Sequence, residues 1–330
     1  MTSVMDRRAF IGTVAGGLLA APLAAEAQQS GKVYRIGSFL AELPRTAPGE
    51  GLWYDRMRAL GWVHGQNYVV HRRAFGDQPE RIPKLAAELM QSGVDIFVVS
   101  GDHQARRLQE VIRTIPIVAS EAEDLVQSGL AASLARLGGN VTGTQTLQPE
   151  LVGKQLALLK EAIPSLSRAG IIKGGPETSA AVRMAETSGR ALGISLVIVP
   201  VLRVEDLDPA FSALRAGRAQ GALVLRSSMR FLGPHFKTAA DLSLKHRIPM
   251  ISEYSTLVIG GLLSYGYDVR ELYSLLAETI DQILRGTPVS EVPIRQVTTF
   301  RLVINLKTAK ALGLTIPSSL LQRADQVIDP

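Results

Sequence analysis

The sequence predicts an α/β protein of two lobes, each a doubly wound parallel sheet, joined by a hinge through which the chain crosses three times. Three observations lead to this fold class. Apolar, β-branched runs alternate with segments of helical periodicity, the alternation occurs in two successive sets, and glycine-flanked apolar strands stand between them. A length of 330 residues also exceeds the usual size of one domain, so two hydrophobic cores are expected.

The first set of elements begins with a strand predicted at Val33–Leu40, followed by a helix that ends at Gly61. A second strand is predicted at Asn67–Arg72, and a third at Val94–Ser100. The third is a continuous apolar run, which is typical of a strand covered on both faces of a parallel sheet. An amphipathic helix between the last two strands is indicated by the three-and-four spacing of Ile82, Leu85, Ala86, Leu89 and Met90.

The second set repeats this order. Its predicted strands are Arg168–Lys173, Ser195–Leu202, Gly221–Arg226 and Pro249–Ser252. Three further apolar strands are interpreted as the crossings between lobes: Asn140–Thr144, Leu262–Gly266 and Thr298–Asn305. The chain therefore divides into a first lobe of residues 28–143 plus 266–297 and a second lobe of residues 144–265 plus 298–330. We expect the lobes to close about the three crossings.

The N-terminus resembles an export signal. Arg7 and Arg8 precede a Gly- and Ala-rich apolar stretch that is shorter than a membrane-spanning helix, and Ala25-Glu26-Ala27 supplies small residues for a signal peptidase. Residues 1–27 are therefore predicted to be a signal peptide, with a possible twin-arginine route. Asp6 stands where Ser or Thr is usual, so general secretion stays open as the route. A membrane anchor is the alternative structure.

Composition excludes several function classes. The chain has no cysteine, which removes a lipid-attachment cysteine, disulfides, thiolate metal sites and a cysteine nucleophile. A net charge of +6 without a basic stripe and with few aromatics argues against nucleic acid. No P-loop, Gly-x-Ser-x-Gly or His-Glu-x-x-His motif occurs. No catalytic residue, metal site or cofactor is therefore predicted.

Several stretches resemble the substrate-binding proteins of ABC importers of the tryptophan/tyrosine-type family. They include "LGWVHGQNYVV", "SGLAASLARLGGNVTG", "GKQLALLKEAIP", "GGLLSYG" and "FRLVINLKTAKALGLTIPSSLLQRADQVI". The resemblance spans nearly the whole chain after the signal. It implies the type I periplasmic-binding fold, a ligand held between the lobes, amino acids as the best-known cargo and an ABC membrane permease as the partner.

The residues themselves indicate the same place. Ligands of open parallel sheets lie beyond the carboxyl ends of the strands, where loops enter helices and present free backbone N–H groups. This rule selects residues 100–104 and 120–124 in the first lobe and residues 226–228, beginning at Arg226, and 252–254 in the second. The predicted contacts within these loops are Ser100, Gly101, Asp102, His103, Gln104, Ser120, Glu121, Asp124, Ser227, Ser228, Glu253 and Tyr254. The backbone N–H groups of residues 100–104 are expected to meet the negative end of the ligand.

Each of these contacts has a structural alternative. Ser100 and Gly101 serve equally well as a helix cap, and Tyr254 as a packed ring rather than one stacked on the ligand. Asp124 matches the acidic residue of the family's Gly-Asp-Pro turn, so the resemblance implies a contact with a ligand ammonium. Glu123 and Leu125 depart from that turn. The acidic cluster of Glu121, Glu123 and Asp124 suits a hard cation or, more often, a helix N-terminus.

Together these features predict a periplasmic, monomeric solute-binding protein of an ABC importer. It would capture a small amino-acid-like or carboxylate ligand between its lobes. Two alternatives stay open: a periplasmic sensor subunit of a signalling system, because the same fold serves it, and an exported α/β enzyme. The absence of a nucleophile, base and orienting group argues against the enzyme.

The signal gives the first prediction. Intact-mass analysis of periplasmic material should show a chain that starts at Gln28, because cleavage is expected after Ala27. Replacing Arg7 and Arg8 together by lysine should stop export if the twin-arginine route is used, and unchanged secretion of that variant would assign the general route. Recovery of the full-length chain in the membrane fraction would contradict the signal-peptide interpretation.

Overall fold

The computed structural model describes residues 31–40, 50–76, 78–135, 139–146, 148–174, 179–226, 235–253 and 260–329, and at 148, 149 and 179 the backbone alone. The predicted signal peptide, the loop 41–49 and the predicted contacts Ser227, Ser228 and Tyr254 lie outside the described residues. Across the ranges that are described, no helix is both long enough and apolar enough to span a membrane.

The first lobe contains a parallel sheet with the strand order β11-β5-β4-β3-β1-β2, a count of six that refers to the described residues. Its strands are β1 Tyr34–Leu40, β2 Tyr68–Ala74, β3 Ile96–Ser100, β4 Ile117–Ala122, β5 Val141–Gln145 and β11 Arg295–Gln296. The apolar runs identified in the sequence form its centre. The prediction of a strand covered on both faces is confirmed for β3, where Ile96 and Phe97 are both fully buried.

Helices cover both faces of this sheet. They are α1 Glu50–Ala59, α2 Ile82–Gln91, α3 Gly101–Val111 and, much later in the chain, α8 Val269–Leu284. On one face Leu89 and Leu108 from α2 and α3 pack against Phe97. On the other face Met57 of α1 and Ile280 of α8 pack around the strands. α8 lies within residues 266–297, which the sequence analysis assigns to the first lobe.

The second lobe contains a sheet with the strand order β13-β12-β10-β9-β8-β6-β7, seven strands among the described residues. They are β6 Arg168–Lys173, β7 Ser195–Pro200, β8 Gly221–Val224, β9 Met250–Ser252, β10 Leu263–Tyr267, β12 Phe300–Asn305 and β13 Gln326–Ile328. Its pairs are parallel except the antiparallel pair β10–β12. The predicted fold class, two α/β lobes with mostly parallel sheets, is confirmed.

Helices also cover both faces of the second sheet. They are α4 Gln148–Ala162, α5 Ser179–Ala191, α6 Leu207–Ala216, α7 Phe236–His246, α9 Leu306–Leu312 and α10 Ser318–Leu321. Leu156 of α4 and Leu320 of α10 belong to the core on one face, with Leu223 of the sheet. Phe211 of α6 and Ala239 of α7 belong to the core on the other face.

The chain passes between the sheets three times, although the strands that we interpreted as crossings lie within the sheets. β5 pairs with β4, and β10 lies between β9 and β12, where Val141 and Leu263 are buried in the two cores. The connections follow the strands: after Gln145, after Tyr267 and between Gln296 and Phe300. Thr299 in the third connection donates its backbone N–H to Glu271 of α8 at 2.7 Å, which ties this connection to the helix after the second.

A close approach between β4 and β5 requires glycine at position 143. Gly143 has a φ of 155°, and a Cβ atom there would lie 1.9 Å from the carbonyl oxygen of Ala119. The atom approached belongs to the backbone of the neighbouring strand, so no change of side-chain rotamer can relieve the contact. The approach lies two residues before the carboxyl end of β5, and it therefore fixes the position of Gln145 relative to β4.

The second prediction follows from this packing. Gly143→Ala should lower the free energy of unfolding by about 3 kcal/mol or more, because the new Cβ forces the two strands apart. Urea unfolding monitored by circular dichroism measures the loss. The control is Gly51→Ala in α1, where no atom lies within 4 Å of the Cβ position and alanine favours the helix. A Gly143→Ala protein as stable as the control would refute the assigned close approach.

Candidate ligand-binding site

The carboxyl ends of the two sheets face each other, and an ion pair between Arg226 and Glu121 joins them. Arg226 follows β8 in the second lobe, and its Nη2 atom donates to Oε2 of Glu121, in β4 of the first lobe, at 2.8 Å. The side chains are 16% and 19% exposed, so both charges are largely removed from water. This pair marks the cleft between the lobes, at the strand ends where the sequence predicted the ligand.

Glu121 has an unusual backbone. Its φ of 57° lies in the left-handed region, and the register between β4 and β5 shifts between Ala119 and Ala122. The backbone N–H of Glu121 donates to the hydroxyl oxygen of Thr144 at 3.3 Å. A non-glycine residue in this region costs on the order of 1–3 kcal/mol and tends to persist where function requires it. The loop that we predicted to begin at Ser120 therefore begins after Ala122, because the irregular strand continues to that residue.

Asp102 organises the acidic loop that follows β4. Its two carboxylate oxygens accept the backbone N–H groups of Glu123 at 3.1 Å and of Asp124 at 3.2 Å. Burial raises the pKa of Asp102 above its ordinary value, while the two hydrogen bonds and the charge of Arg226 act in the opposite direction. A carboxylate therefore lies in the first turn of α3, where we expected the negative end of the ligand.

Asp124, the residue that we matched to a ligand ammonium, also shapes this loop. Its Oδ1 atom accepts the backbone N–H groups of Val126 at 3.0 Å and of Gln127 at 2.9 Å, as a helix-capping side chain does. The residues that follow Asp124 form a turn and not a helix, so Asp124 caps a turn where the sequence analysis gave a helix N-terminus as the alternative. A ligand contact through the other oxygen of the same carboxylate stays a prediction.

The remaining predicted residues of the first lobe lie around the start of α3. Ser100 is the residue before the helix, but its side chain makes no capping hydrogen bond; its backbone N–H donates to Oε1 of Gln104 at 3.2 Å. Gly101 has a φ of 71°. His103 accepts from Nε of Arg107, one helical turn away, at 3.1 Å. Gln104 is buried, so its amide fixes the Ser100 backbone from inside the lobe.

In the second lobe the structure describes one predicted contact, Glu253. It directly follows β9 and is buried. Gly266 of β10 lies against it, because a Cβ at position 266 would be 2.0 Å from the Glu253 carbonyl oxygen. Glu253 is thus held at the carboxyl end of the second sheet. The contacts predicted for Ser227, Ser228 and Tyr254 fall outside the described residues and stay predictions.

Two residues of the cleft, Gln145 and Tyr273, were not selected from the sequence. Gln145 ends β5, so the rule of carboxyl ends would have selected it, as it selected the loop that begins at Arg226. The Oε1 atom of Gln145 is buried and has no hydrogen-bond partner among the described residues. Tyr273 of α8 is buried, and burial together with the charge of Glu121 raises its pKa. No sequence signal placed Tyr273 beside β4.

The acidic residues do not form a metal centre in the described part of the chain. No group of three or more His, Asp or Glu side chains there has an arrangement that would hold a metal ion. Asp102 and Asp124 instead accept backbone N–H groups, and Glu121 pairs with Arg226. The cleft therefore contains both kinds of ionisable group, with Asp102, Glu121 and Asp124 on the first lobe and the guanidinium of Arg226 together with Glu253 on the second.

Comparison with known proteins decides the family. The model of the family described as "ABC transporter substrate binding protein" matches residues 51–328. The chain belongs to this family. A curated relative, the tyrosine-binding protein of Clostridioides difficile (strain R20291), is 23% identical over 290 residues, which cover 86% of this chain and 82% of that protein. Members of this family are substrate-binding proteins that act outside the cytoplasm, in the periplasm or extracellularly.

Solved structures share the fold of this substrate-binding protein. A conserved domain protein from Vibrio cholerae superposes with a TM-score of 0.79 at 24% identity, covering 90% of this chain and 99% of that one. An ABC domain from Streptococcus pneumoniae in complex with L-Trp superposes with a TM-score of 0.78 at 21% identity, covering 90% and 100%. Both confirm the two-lobed fold that the resemblance in the sequence implied.

The third prediction concerns Asp102. Asp102→Ala should speed hydrogen exchange at the amides of Glu123 and Asp124 by about tenfold or more, because each loses a hydrogen bond to a carboxylate. Hydrogen exchange followed by NMR or mass spectrometry measures this change. Glu110→Ala, an exposed position on the same helix, is the control and should leave both amides protected. Equal protection in the two variants would show that Asp102 does not hold the loop.

Proposed function

We propose that this protein is the periplasmic binding component of an ABC importer and captures a small amino-acid-like solute between its lobes. The observation that carries the proposal is the arrangement of Glu121, Asp102 and Asp124 opposite Arg226 across the cleft of a family member. An amino acid has an ammonium and a carboxylate at one end, so it matches a site with both charges. The ligand is released unchanged, with no catalytic step.

The relatives support an amino-acid ligand. One is named a tyrosine-binding protein, and one structure of the same fold holds L-Trp. We therefore place aromatic amino acids first among the solutes to be tested. Tyr273 lies within range of the charge of Glu121, which together with burial raises the pKa of Tyr273, and Tyr254 is our proposed stacking residue from the second lobe.

Closure of the lobes brings the two sides of the site together. We propose lobes of residues 28–143 with 266–297 and of residues 144–265 with 298–330, which exchange the chain close to the ends of β5, β10 and β11. Short connections at the ends of these strands absorb backbone rotation while each sheet stays rigid.

The protein works as a monomer that delivers its ligand to a membrane permease, and it reaches the periplasm through the twin-arginine-like signal at residues 1–27.

Within the site, we assign Asp124 to the ligand ammonium. Oδ1 of Asp124 anchors the turn, and its second carboxylate oxygen is assigned to the ligand. A charged hydrogen bond made inside a closed cleft, away from water, is the kind whose removal from one side costs most.

The fourth prediction tests this assignment. Asp124→Ala should weaken binding of the amino acid by on the order of 2–5 kcal/mol, because the ammonium is left without its charged partner. Isothermal titration calorimetry measures the affinity, using a ligand identified by mass spectrometry of what copurifies or by a thermal-shift panel of amino acids.

The matched control separates the two functions of this carboxylate. In Asp124→Asn an amide oxygen still accepts the N–H groups of Val126 and Gln127, so the turn is retained while the charge is lost. We expect Asp124→Asn to bind nearly as weakly as Asp124→Ala but to melt close to wild type. Wild-type affinity in Asp124→Asn would remove its charge from the site, and turnover of the ligand during titration would indicate an enzyme.

A further inference from the structure

The third connection between the lobes receives little support from its own sheet. It leaves the first lobe at β11, a two-residue strand at the edge of the described sheet that pairs with β5. Strands usually have roughly three to ten residues, so this pairing alone holds the chain weakly. The next residue, Val297, is fully buried in a cluster with Leu272 of α8 and Tyr267 of β10. The support that the sheet does not supply therefore comes from α8.

Two glutamates of α8, about two helical turns apart, hold this connection. Oε2 of Glu278 accepts from Nη1 of Arg295 in β11 at 3.0 Å. Glu271 accepts the backbone N–H groups of Thr298 at 3.2 Å and of Thr299 at 2.7 Å, and the hydroxyl of Thr298 at 3.0 Å. One carboxylate thus binds three donors of two successive residues.

The charge of Glu271 strengthens these bonds. Burial acts to raise the pKa of Glu271, but the hydrogen bonds from Thr299 and Thr298 act in the opposite direction and hold the pKa below its ordinary value. The side chain is therefore ionised at neutral pH, and hydrogen bonds to a carboxylate are roughly twice as strong as those between neutral groups. We call Glu271 together with Thr298 and Thr299 the hinge clamp.

The clamp ends where the second sheet begins. Tyr267 and Phe300 form the last pair of β10 and β12 in the second lobe. On the first-lobe side, Asp268 is the N-cap of α8, and its backbone N–H donates to the carbonyl oxygen of Thr299 at 2.8 Å. Both chains therefore change lobes within one residue step. Atoms this close to a pivot move little relative to each other, so the ion pair of Asp268 with Arg301 at 3.6 Å is compatible with rotation.

We propose that Glu271 is a positioning residue for ligand capture, because the hinge clamp makes residues 297–299 part of the first lobe and confines bending to the two adjacent steps. This inference rests on the proposed function and deepens it by naming the pivot of closure, which lies within two residues of the proposed lobe boundaries. A defined pivot limits the positions that the ligand-free lobes explore, so a larger fraction of molecules is ready to close. Without the clamp, residues 297–299 add rotations of their own and that fraction falls.

The first arm of the test needs no ligand. The chain has no cysteine, so Glu110→Cys in α3 and Ser212→Cys in α6, both exposed, provide unique spin-label sites on the two lobes. Electron–electron double resonance on the ligand-free protein should give a broader distance distribution in Glu271→Ala than in the labelled parent. The matched control is Glu291→Ala, an exposed glutamate shortly before β11, which should keep the parent distribution.

The second arm uses hydrogen exchange to show that the clamp is broken. In Glu271→Ala the amides of Thr298 and Thr299 should exchange about tenfold faster or more, because each loses a charged acceptor. Glu271→Gln keeps one acceptor oxygen without the charge, so it should be intermediate in exchange and in distance distribution. Thermal melting of both variants checks that the lobes stay folded, and Glu271→Gln carries the test if Glu271→Ala does not fold.

The third arm measures capture by calorimetry with tyrosine and tryptophan. Glu271 is not among the residues that we assign to the ligand, so Glu271→Ala should weaken both affinities on the order of tenfold and leave their ratio unchanged. If neither amino acid binds to wild type, the two that bind most tightly in the thermal-shift panel take their places.

The outcomes separate this inference from the proposed function. Faster exchange at Thr298 and Thr299 with an unchanged distance distribution would identify a local contact without effect on the hinge and overturn the inference, as would unchanged exchange. A changed ratio of affinities would show that Glu271 acts on the ligand directly, which also overturns it. If wild type binds no amino acid, the proposed ligand class fails, whereas the ligand-free arm still decides the hinge clamp.

Discussion

The arrangement of this molecule depends on one constraint, which is that parallel strands must be connected by crossovers on the faces of the sheet. All carboxyl ends of a parallel sheet then share one edge, and the loops leaving that edge are free of the apolar cores. Two such sheets, joined by three connections close to the same edge, turn their loops toward each other. The Glu121–Arg226 contact is the direct consequence, since residues 105 positions apart meet across the cleft.

The acidic loop shows how polar groups are kept at this edge without loss of structure. Asp102 and Asp124 each satisfy backbone N–H groups, so their burial is compensated by hydrogen bonds. Burial and the charge of Asp124 raise the pKa of Asp102 above its ordinary value, against the lowering effect of those hydrogen bonds and of the nearby guanidinium. The loop is thus preorganised before any ligand arrives, and its carboxylates do not have to be ordered on binding.

Much of the fold follows from hydrophobic pattern, and the site does not. The strand predicted at Arg168–Lys173 has the observed bounds, because a short apolar run between polar turns leaves little choice of register. The crossings were placed on β5 and β10 instead of the connections after them, since an apolar strand looks the same at a lobe boundary and inside a sheet. The rule of carboxyl ends selected the loop that begins at Arg226, but the pairing of Arg226 with Glu121 was not predicted, because a partner on another lobe leaves no trace in local sequence.

The capping function of Asp124 shows a further limit of sequence. An acidic residue before a helical turn is equally suited to the turn and to a ligand, and both uses are compatible because a carboxylate has two oxygens. In this fold the two uses are coupled: the oxygen that holds Val126 and Gln127 fixes the direction of the other. Asp124→Ala therefore removes the hydrogen bonds of the turn and the charge together. Only a variant that keeps the hydrogen-bond acceptor, such as Asp124→Asn, isolates the electrostatic contribution of this residue to recognition.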